Sequence, residues 1–244
     1  MISDIDFEGF RVLVTGASGG IGRALVKELL NRGARVGIHY YKNKPDVQEL
    51  MLNTKAEVGE CVCILKADLC DIKETEHLFK EFIDWANGID GLVNNAGDVR
   101  IRKHFFDIEE IDIDADLTLN LKAPFWLSKL VIKYMEKNEI KGSIVNISSI
   151  AAKFGGSPYT LFYGLSKAAL ETMTFSLGRY CAPLGIRINA LRLGVFDTPF
   201  HQRHVKDLTE RVQMIPAKRI GSPEEAACWI MSLLSKKSAY MNGQ

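Results

Sequence analysis

Short apolar runs alternate along the chain with longer segments whose apolar side chains recur every third or fourth position. The runs at 11–15, 34–40, 61–67, 91–94, 142–147 and 186–191 are rich in Val, Ile and Leu and predict buried strands. The segments at 21–31, 46–58, 72–87, 117–137, 163–181 and 223–234 predict helices, with Gly33 placed to close the first. Strands alternating with helices imply a parallel sheet covered on both faces, because parallel neighbours need crossover connections and these are right-handed. The expected fold class is therefore α/β, a doubly wound parallel sheet. Its ligands belong beyond the carboxyl ends of the strands.

Composition narrows the class without changing it. The 244 residues are 47% hydrophobic and 25% charged, with 20 Gly and 7 Pro, which excludes disorder, collagen and coiled coil. No repeat or linker divides the chain, so residues 1–244 read as a single domain. Thirty-one basic against thirty acidic side chains leave a net charge of +1, which makes no case for nucleic acid or an anionic membrane. No apolar stretch is long enough to span a bilayer, and the acidic start Met1-Ile2-Ser3-Asp4 lacks the form of a signal peptide. The five cysteines, Cys61, Cys63, Cys70, Cys181 and Cys228, form no CxxC and read as small hydrophobes in a reducing compartment. A cytoplasmic location is expected.

Chemistry enters at the strand ends. The first strand runs into Thr15-Gly16-Ala17-Ser18-Gly19-Gly20-Ile21-Gly22, where glycines allow a tight turn and close backbone approach to a diphosphate at a helix N-terminus. The spacing resembles the TGxxxGxG of the short-chain dehydrogenase/reductase family, including its 3-oxoacyl-carrier-protein reductases. Asn94-Asn95-Ala96-Gly97 is similar to the family's NNAG, and Tyr163-Gly164-Leu165-Ser166-Lys167 to its YxxxK. The resemblance covers essentially the whole chain and implies a Rossmann-like domain binding a nicotinamide dinucleotide. It places Gly16, Ser18, Gly20, Ile21, Gly22, Asp68, Leu69, Asn95, Ala96, Gly97, Tyr163, Lys167, Gly194 and Thr198 against that cofactor. Members preferring NAD carry an acid where Tyr40 stands. With no acid there and Lys42 within reach of a 2′-phosphate, NADP(H) is favoured over NAD(H). The alternative for Lys42 is an ordinary solvated loop lysine.

Tyr163 and Lys167 are four apart, so a helix presents both on one face. A phenol is a poor base at neutral pH. An ammonium roughly 4 Å away, at an effective dielectric near 20, contributes about 4 kcal/mol toward the phenolate, or some three pKa units. Lowering of the Tyr163 pKa is therefore expected. The resemblance implies Ser149 as the hydroxyl holding the substrate oxygen, with Ser148 a structural neighbour, although the interval to Tyr163 is one residue longer than in many relatives. It also assigns Asn120 the task of holding a water chain that feeds protons to Lys167. A mid-helix Asn four residues before Pro124 reads equally as a kink.

Residues 195–220 are expected to form a substrate lid carrying His201, Arg203, His204, Lys206, Arg211, Lys218 and Arg219. With Arg100-Ile101-Arg102-Lys103-His104 this makes a basic rim suited to an anionic or carrier-protein-bound substrate. No metal site is expected, since His201 and His204 lack a third ligand. The acidic stretch from Asp107 to Asp116 reads as a solvated helix near a subunit interface. The resemblance implies a homodimer or homotetramer built on the helices at 117–137 and 163–181. It also implies that the last strand of the sheet is absent from this sequence. Three functions compete: a ketone reductase acting on 3-oxoacyl thioesters, a sugar or polyol dehydrogenase, and a non-catalytic dinucleotide sensor or scaffold. The complete set Asn120, Ser149, Tyr163 and Lys167 favours the first.

Overall fold

In a computed structural model describing residues 7–51, 60–204 and 209–244, the apolar runs form six strands. These are β1 (Arg11–Val14), β2 (Arg35–Tyr40), β3 (Val62–Lys66), β4 (Gly91–Asn94), β5 (Ser143–Ser149) and β6 (Arg187–Leu193). All pair in parallel, in the order β3-β2-β1-β4-β5-β6. The reversal between β1 and β4 is the switch point of a doubly wound sheet, where ligands of such folds bind.

The two faces are covered separately, because successive side chains of a strand point to opposite sides. Val12 and Val14 join Leu25, Leu29 and Ile230 under α1 (Gly20–Leu30) and, late in the chain, the helix at Pro223–Leu234. Leu13 instead joins Phe82, Leu127 and Met135 on the opposite face. That face is covered by the helices at Ile72–Ala86, Ala123–Lys137 and Leu161–Cys181. In chain order the remaining helices are α2 (Val47–Met51), α3 (Ile72–Ala86), α4 (Glu110–Leu117), α5 (Ala123–Lys137), α6 (Ala151–Phe154), α7 (Leu161–Cys181), α8 (Pro199–His204), α9 (Thr209–Met214) and α10 (Pro223–Leu234). The caps are legible: Asp71 accepts from the N–H groups of Lys73 and Glu74, and Ser222 with Glu225 forms a capping box. The expected helix at 46–58 is described only to Met51, and its remainder lies outside the described residues.

The helix expected at 117–137 differs. Helical structure starts earlier, at Glu110, and passes through a π turn at Thr118–Lys122 before continuing as α5. There the Ala123 N–H reaches Thr118 O, one residue further back than in an α-helix. The acidic stretch is also less solvated than its charge suggests. Asp112 and Asp116 are buried because the loop after β4 folds onto them: Lys103 Nζ bonds Asp112 at 2.7 Å, and the Arg100 N–H bonds Asp116 at 2.9 Å.

Beyond β6 the sheet has no seventh strand among the described residues, yet its edge is met. The Gly243 N–H donates to Ile188 O at 2.8 Å, and the Ala190 N–H donates to Gln244 O at 2.7 Å. Asn242 ties this segment to β6 and α7, accepting from the Ile188 N–H at 2.8 Å and donating to Gly178 O at 3.0 Å. All five cysteines are free thiols, and burial pushes Cys181 up to about 11.

Candidate active site

The carboxyl ends of the strands open into a cavity of about 570 Å³ running from the end of β2 to α8. At one end lies the glycine turn. Gly16 has φ +61°, and a Cβ there would stand 2.8 Å from Ala96 Cα. Only glycine lets the turn lie this close to the β4 loop. Thr15 and Asn95 lock the two together. Thr15 Oγ1 donates to Val93 O (3.2 Å) and accepts from the N–H groups of Asn95 and Ala96 (both 3.0 Å). Asn95 Nδ2 donates to Thr15 O and Gly16 O, at 2.9 and 3.0 Å.

A residue without an assigned role in the sequence completes the lock. His39, buried at the end of β2, accepts from the Gly16 N–H through Nδ1 and donates from Nε2 to Ala67 O, each at 3.0 Å. Acceptance at Nδ1 needs the neutral ring, and burial lowers its pKa to about 4. The signal that could have found it was a histidine among apolar residues of a central strand.

Of the expected cofactor residues, Gly16, Ser18, Gly20, Ile21, Lys42, Asp68 and Leu69 line the cavity. So do Asn95, Ala96, Gly97, Tyr163, Lys167, Gly194 and Thr198. Two do not. Gly22 lies behind the turn, where a Cβ would come 2.7 Å from both Asn95 Nδ2 and Gly16 O, so it serves close helix contact. Tyr40 is the last residue of β2, paired with Lys66, and stays off the cavity. The next residue, Tyr41, lines the cavity and hydrogen-bonds Asp68. The site suits a dinucleotide. The first turn of α1 has neither an acidic side chain nor a side-chain cap, and Cβ atoms at Gly19 and Gly194 would meet only open space.

At the other end, α7 brings Tyr163 and Lys167 to the cavity, with Lys167 Nζ 5.8 Å from the Tyr163 ring centre. Lys167 is buried and donates to Ile147 O at 2.8 Å. Ser149, at the end of β5, hydrogen-bonds the Tyr163 hydroxyl and accepts from the Ala151 N–H at 3.2 Å. Ser148 also borders the cavity, but its hydroxyl is engaged, donating to Glu171 at 2.5 Å, and Glu171 is held in turn by Arg192. Asn120 sits in the π turn behind the cavity wall. Its Nδ2 donates to Asp98 O (2.8 Å) and Asp116 O (3.0 Å), and its Oδ1 accepts from the Asp98 N–H (3.2 Å). A Cβ on Gly97 would stand 2.9 Å from Asn120 Oδ1 and 3.0 Å from Lys167 Nζ, so that glycine leaves room for both.

The electrostatics correct one expectation. Tyr163 is not depressed but pushed up to about 12. Burial is the main cause, opposed by the Ser149 hydrogen bond and reinforced by the carboxylates of Asp98 and Asp116. Burial likewise lowers Lys167 to about 8. Burial disfavours the charged form of each group, the phenolate of Tyr163 and the ammonium of Lys167, and so moves the two in opposite directions.

The basic rim is also partly neutralised. Lys103 bonds Asp112, Arg219 forms a two-pronged pair with Glu225 (2.6 and 2.8 Å), and Arg203 faces Asp98 at 3.5 Å. Phe200, His201 and Arg203 of α8 line the cavity, whereas Lys206 lies outside the described residues. No helix among the described residues is long and apolar enough to cross a membrane.

Comparison with known proteins agrees with this geometry. Residues 16–244 match the family described as enoyl-(acyl carrier protein) reductase. The 3-oxoacyl-[acyl-carrier-protein] reductase FabG of Chlamydia pneumoniae is 33% identical over 242 residues, covering 99% of this chain and 96% of its own. A short-chain dehydrogenase from Burkholderia cenocepacia J2315, solved in complex with NADP, superposes with a TM-score of 0.87. It is 28% identical, over 97% of this chain and 95% of that one. A Brucella melitensis protein described as a short-chain dehydrogenase/reductase and glucose/ribitol dehydrogenase gives a TM-score of 0.84. It is 29% identical, over 98% of this chain and 94% of that one. With its fold, glycine turn and Tyr163–Lys167 helix, the chain belongs to the short-chain dehydrogenase/reductase family.

Proposed function

We propose that this oxidoreductase reduces a small-molecule ketone with NADPH. The observation that carries the reading is the Tyr163 hydroxyl, bonded to Ser149 and facing the same cavity as the glycine turn. NADPH held at the glycine turn would supply the hydride, two electrons to the carbonyl carbon. Tyr163, still protonated at neutral pH, gives its proton to the carbonyl oxygen, which Ser149 holds in line. Lys167, lowered toward neutrality, returns a proton to Tyr163, and Asn120 fixes the backbone of residue 98 beside that route. Lys42 at the cavity wall, with no acid at the end of β2, supports NADP(H) over NAD(H). Tighter binding of NADH than NADPH to the purified protein would overturn that preference.

For the substrate, the Chlamydia relative's name supports a 3-oxoacyl thioester, whether free or carrier-borne. The Asp98–Arg203 pair favours a second reading, a sugar or polyol ketone. Residues 195–220 act as the lid, since Phe196, Thr198, Phe200 and Arg203 form one wall of the cavity. Exposed Phe125 on α5, with Leu165, Phe175 and Tyr180 on α7, supports a homodimer or homotetramer joined through these helices. Following NADPH absorbance across ketone, thioester and sugar substrates tests the reaction. No turnover with any of them would overturn it.

A further inference from the structure

Asp98 is placed with unusual care for a half-exposed carboxylate. Its backbone is gripped on both sides by Asn120, through its N–H at 3.2 Å and its C=O at 2.8 Å. One carboxylate oxygen accepts from the Val99 N–H at 3.0 Å, and the other faces Arg203. Asp98 and Arg203 line the cavity that Tyr163 also lines, and Phe200, on the same helix as Arg203, sets its ring 6.0 Å from that of Tyr163, which puts the pair at the tyrosine end.

The pair is also loose. Its 3.5 Å separation exceeds the roughly 2.7–2.9 Å of a tight charged hydrogen bond. The Arg219–Glu225 pair, which does not line the cavity, is closed at 2.6 and 2.8 Å. We propose that Asp98 and Arg203 form the recognition element for the group next to the substrate carbonyl, and that this group bears a hydroxyl, as in a hydroxyketone or keto-sugar. This rests on the reductase reading and selects among its substrates.

The chemistry follows from what each group needs. A hydroxyl is both donor and acceptor, so it can donate to Asp98 and accept from Arg203 at once. The methylene of an acyl chain can do neither, and would cover two polar groups without replacing their water. An anionic group next to the carbonyl would meet the Asp98 charge, a repulsion that narrows the choice further. The wall beside the pair is aromatic. The Phe200 ring lies 6.0 Å from that of Tyr163 and supplies apolar surface for the C–H groups of a polyhydroxylated chain.

Sites built to bond a substrate hydroxyl reject the analogue lacking it far more strongly than apolar pockets discriminate by size. The test therefore uses two ketones that differ by hydroxyl for methyl, hydroxyacetone and butanone, with the purified full chain and NADPH. The expected result is a kcat/KM for hydroxyacetone roughly ten- to a hundredfold above that for butanone. The ratio should fall toward one in Asp98→Ala, mostly through KM, and part of the way in Arg203→Leu. Arg203 is exposed, so that variant and Asp98→Asn carry the test if Asp98→Ala does not fold. A ratio near one in the unaltered protein overturns the proposal. So does a ratio that stays fixed in the variants while both activities drop together, which would make the pair a mere tie between α8 and the β4 loop. If neither ketone nor any thioester is reduced, the reductase reading itself fails, a different outcome from reduction without discrimination.

Discussion

At the glycine turn, the polar side chains are engaged with backbone: Thr15 with β4, Asn95 with the turn, and His39 with both the turn and the end of β3. At the opposite end of the same cavity, partly buried Tyr163 and buried Lys167 are ionisable groups displaced in opposite directions, to about 12 and about 8. The first region works by shape and by amides kept available, so its tolerances are steric. The second works by charge held away from water, so its tolerances are electrostatic. On the proposed reading one fold separates holding a cofactor from moving a proton, and substitutions in the two regions should fail in different ways.

The largest expected effect is in the proton-moving half. Tyr163→Phe removes the acid and should lower kcat about a hundred- to ten-thousandfold while leaving NADPH binding, read by fluorescence titration, within about twofold. A parallel loss of NADPH affinity would break the division between the two ends.

Next comes acid stability, which should report on the cofactor half. His39 is held near 4 in the fold and returns to about 6.5 when unfolded, so the unfolded chain binds the extra proton between those values. Stability from this residue is complete above about pH 6.5 and falls as the pH drops toward 4, by about 3 kcal/mol in all. Urea titrations at pH 7 and pH 4.5 should show it, and His39→Asn should flatten that dependence.

Gly16→Ala should destabilise by about 1–3 kcal/mol, because it combines positive φ with a Cβ against Ala96. Cofactor affinity should fall with it, read by thermal shift with and without NADPH. The smallest effect crosses between regions: Asp98→Asn removes a charge that raises Tyr163, so the pH profile of reduction should move toward lower pH. A profile that stays in place would mean the carboxylate is screened from the reaction.

Alternation of apolar runs made the sheet readable, because parallel strands are buried on both faces and leave little room for polar residues. That Tyr163 and Lys167 share one helix face was readable because residues four apart on a helix point the same way, whereas Ser149 was expected from the family resemblance. Where the chain leaves β2 for the cavity was not readable. Tyr40 still belongs to the ladder, and the chain turns toward the cavity only at Tyr41, a choice set by where pairing stops. The direction of the Tyr163 shift was missed because a pairwise attraction can be estimated from spacing, whereas desolvation depends on everything that folds around the group. His39, Asp112 and Asp116 were opaque for the same reason, since their partners come from distant segments.

The π turn at Thr118–Lys122 carries one more residue than an α turn would need, and Asn120 sits inside it. Deleting a single residue there would restore the ordinary ladder and rotate everything on one side of the cut by about 100°. Asp112 and Asp116 would swing off the loop they anchor, and Asn120 would lose its hold on residue 98, with no side chain chemically altered. The aim of this asparagine is thus a matter of counting. Replacing residues one at a time along the helix can weaken the site, but only a change in chain length can reveal what points it inward.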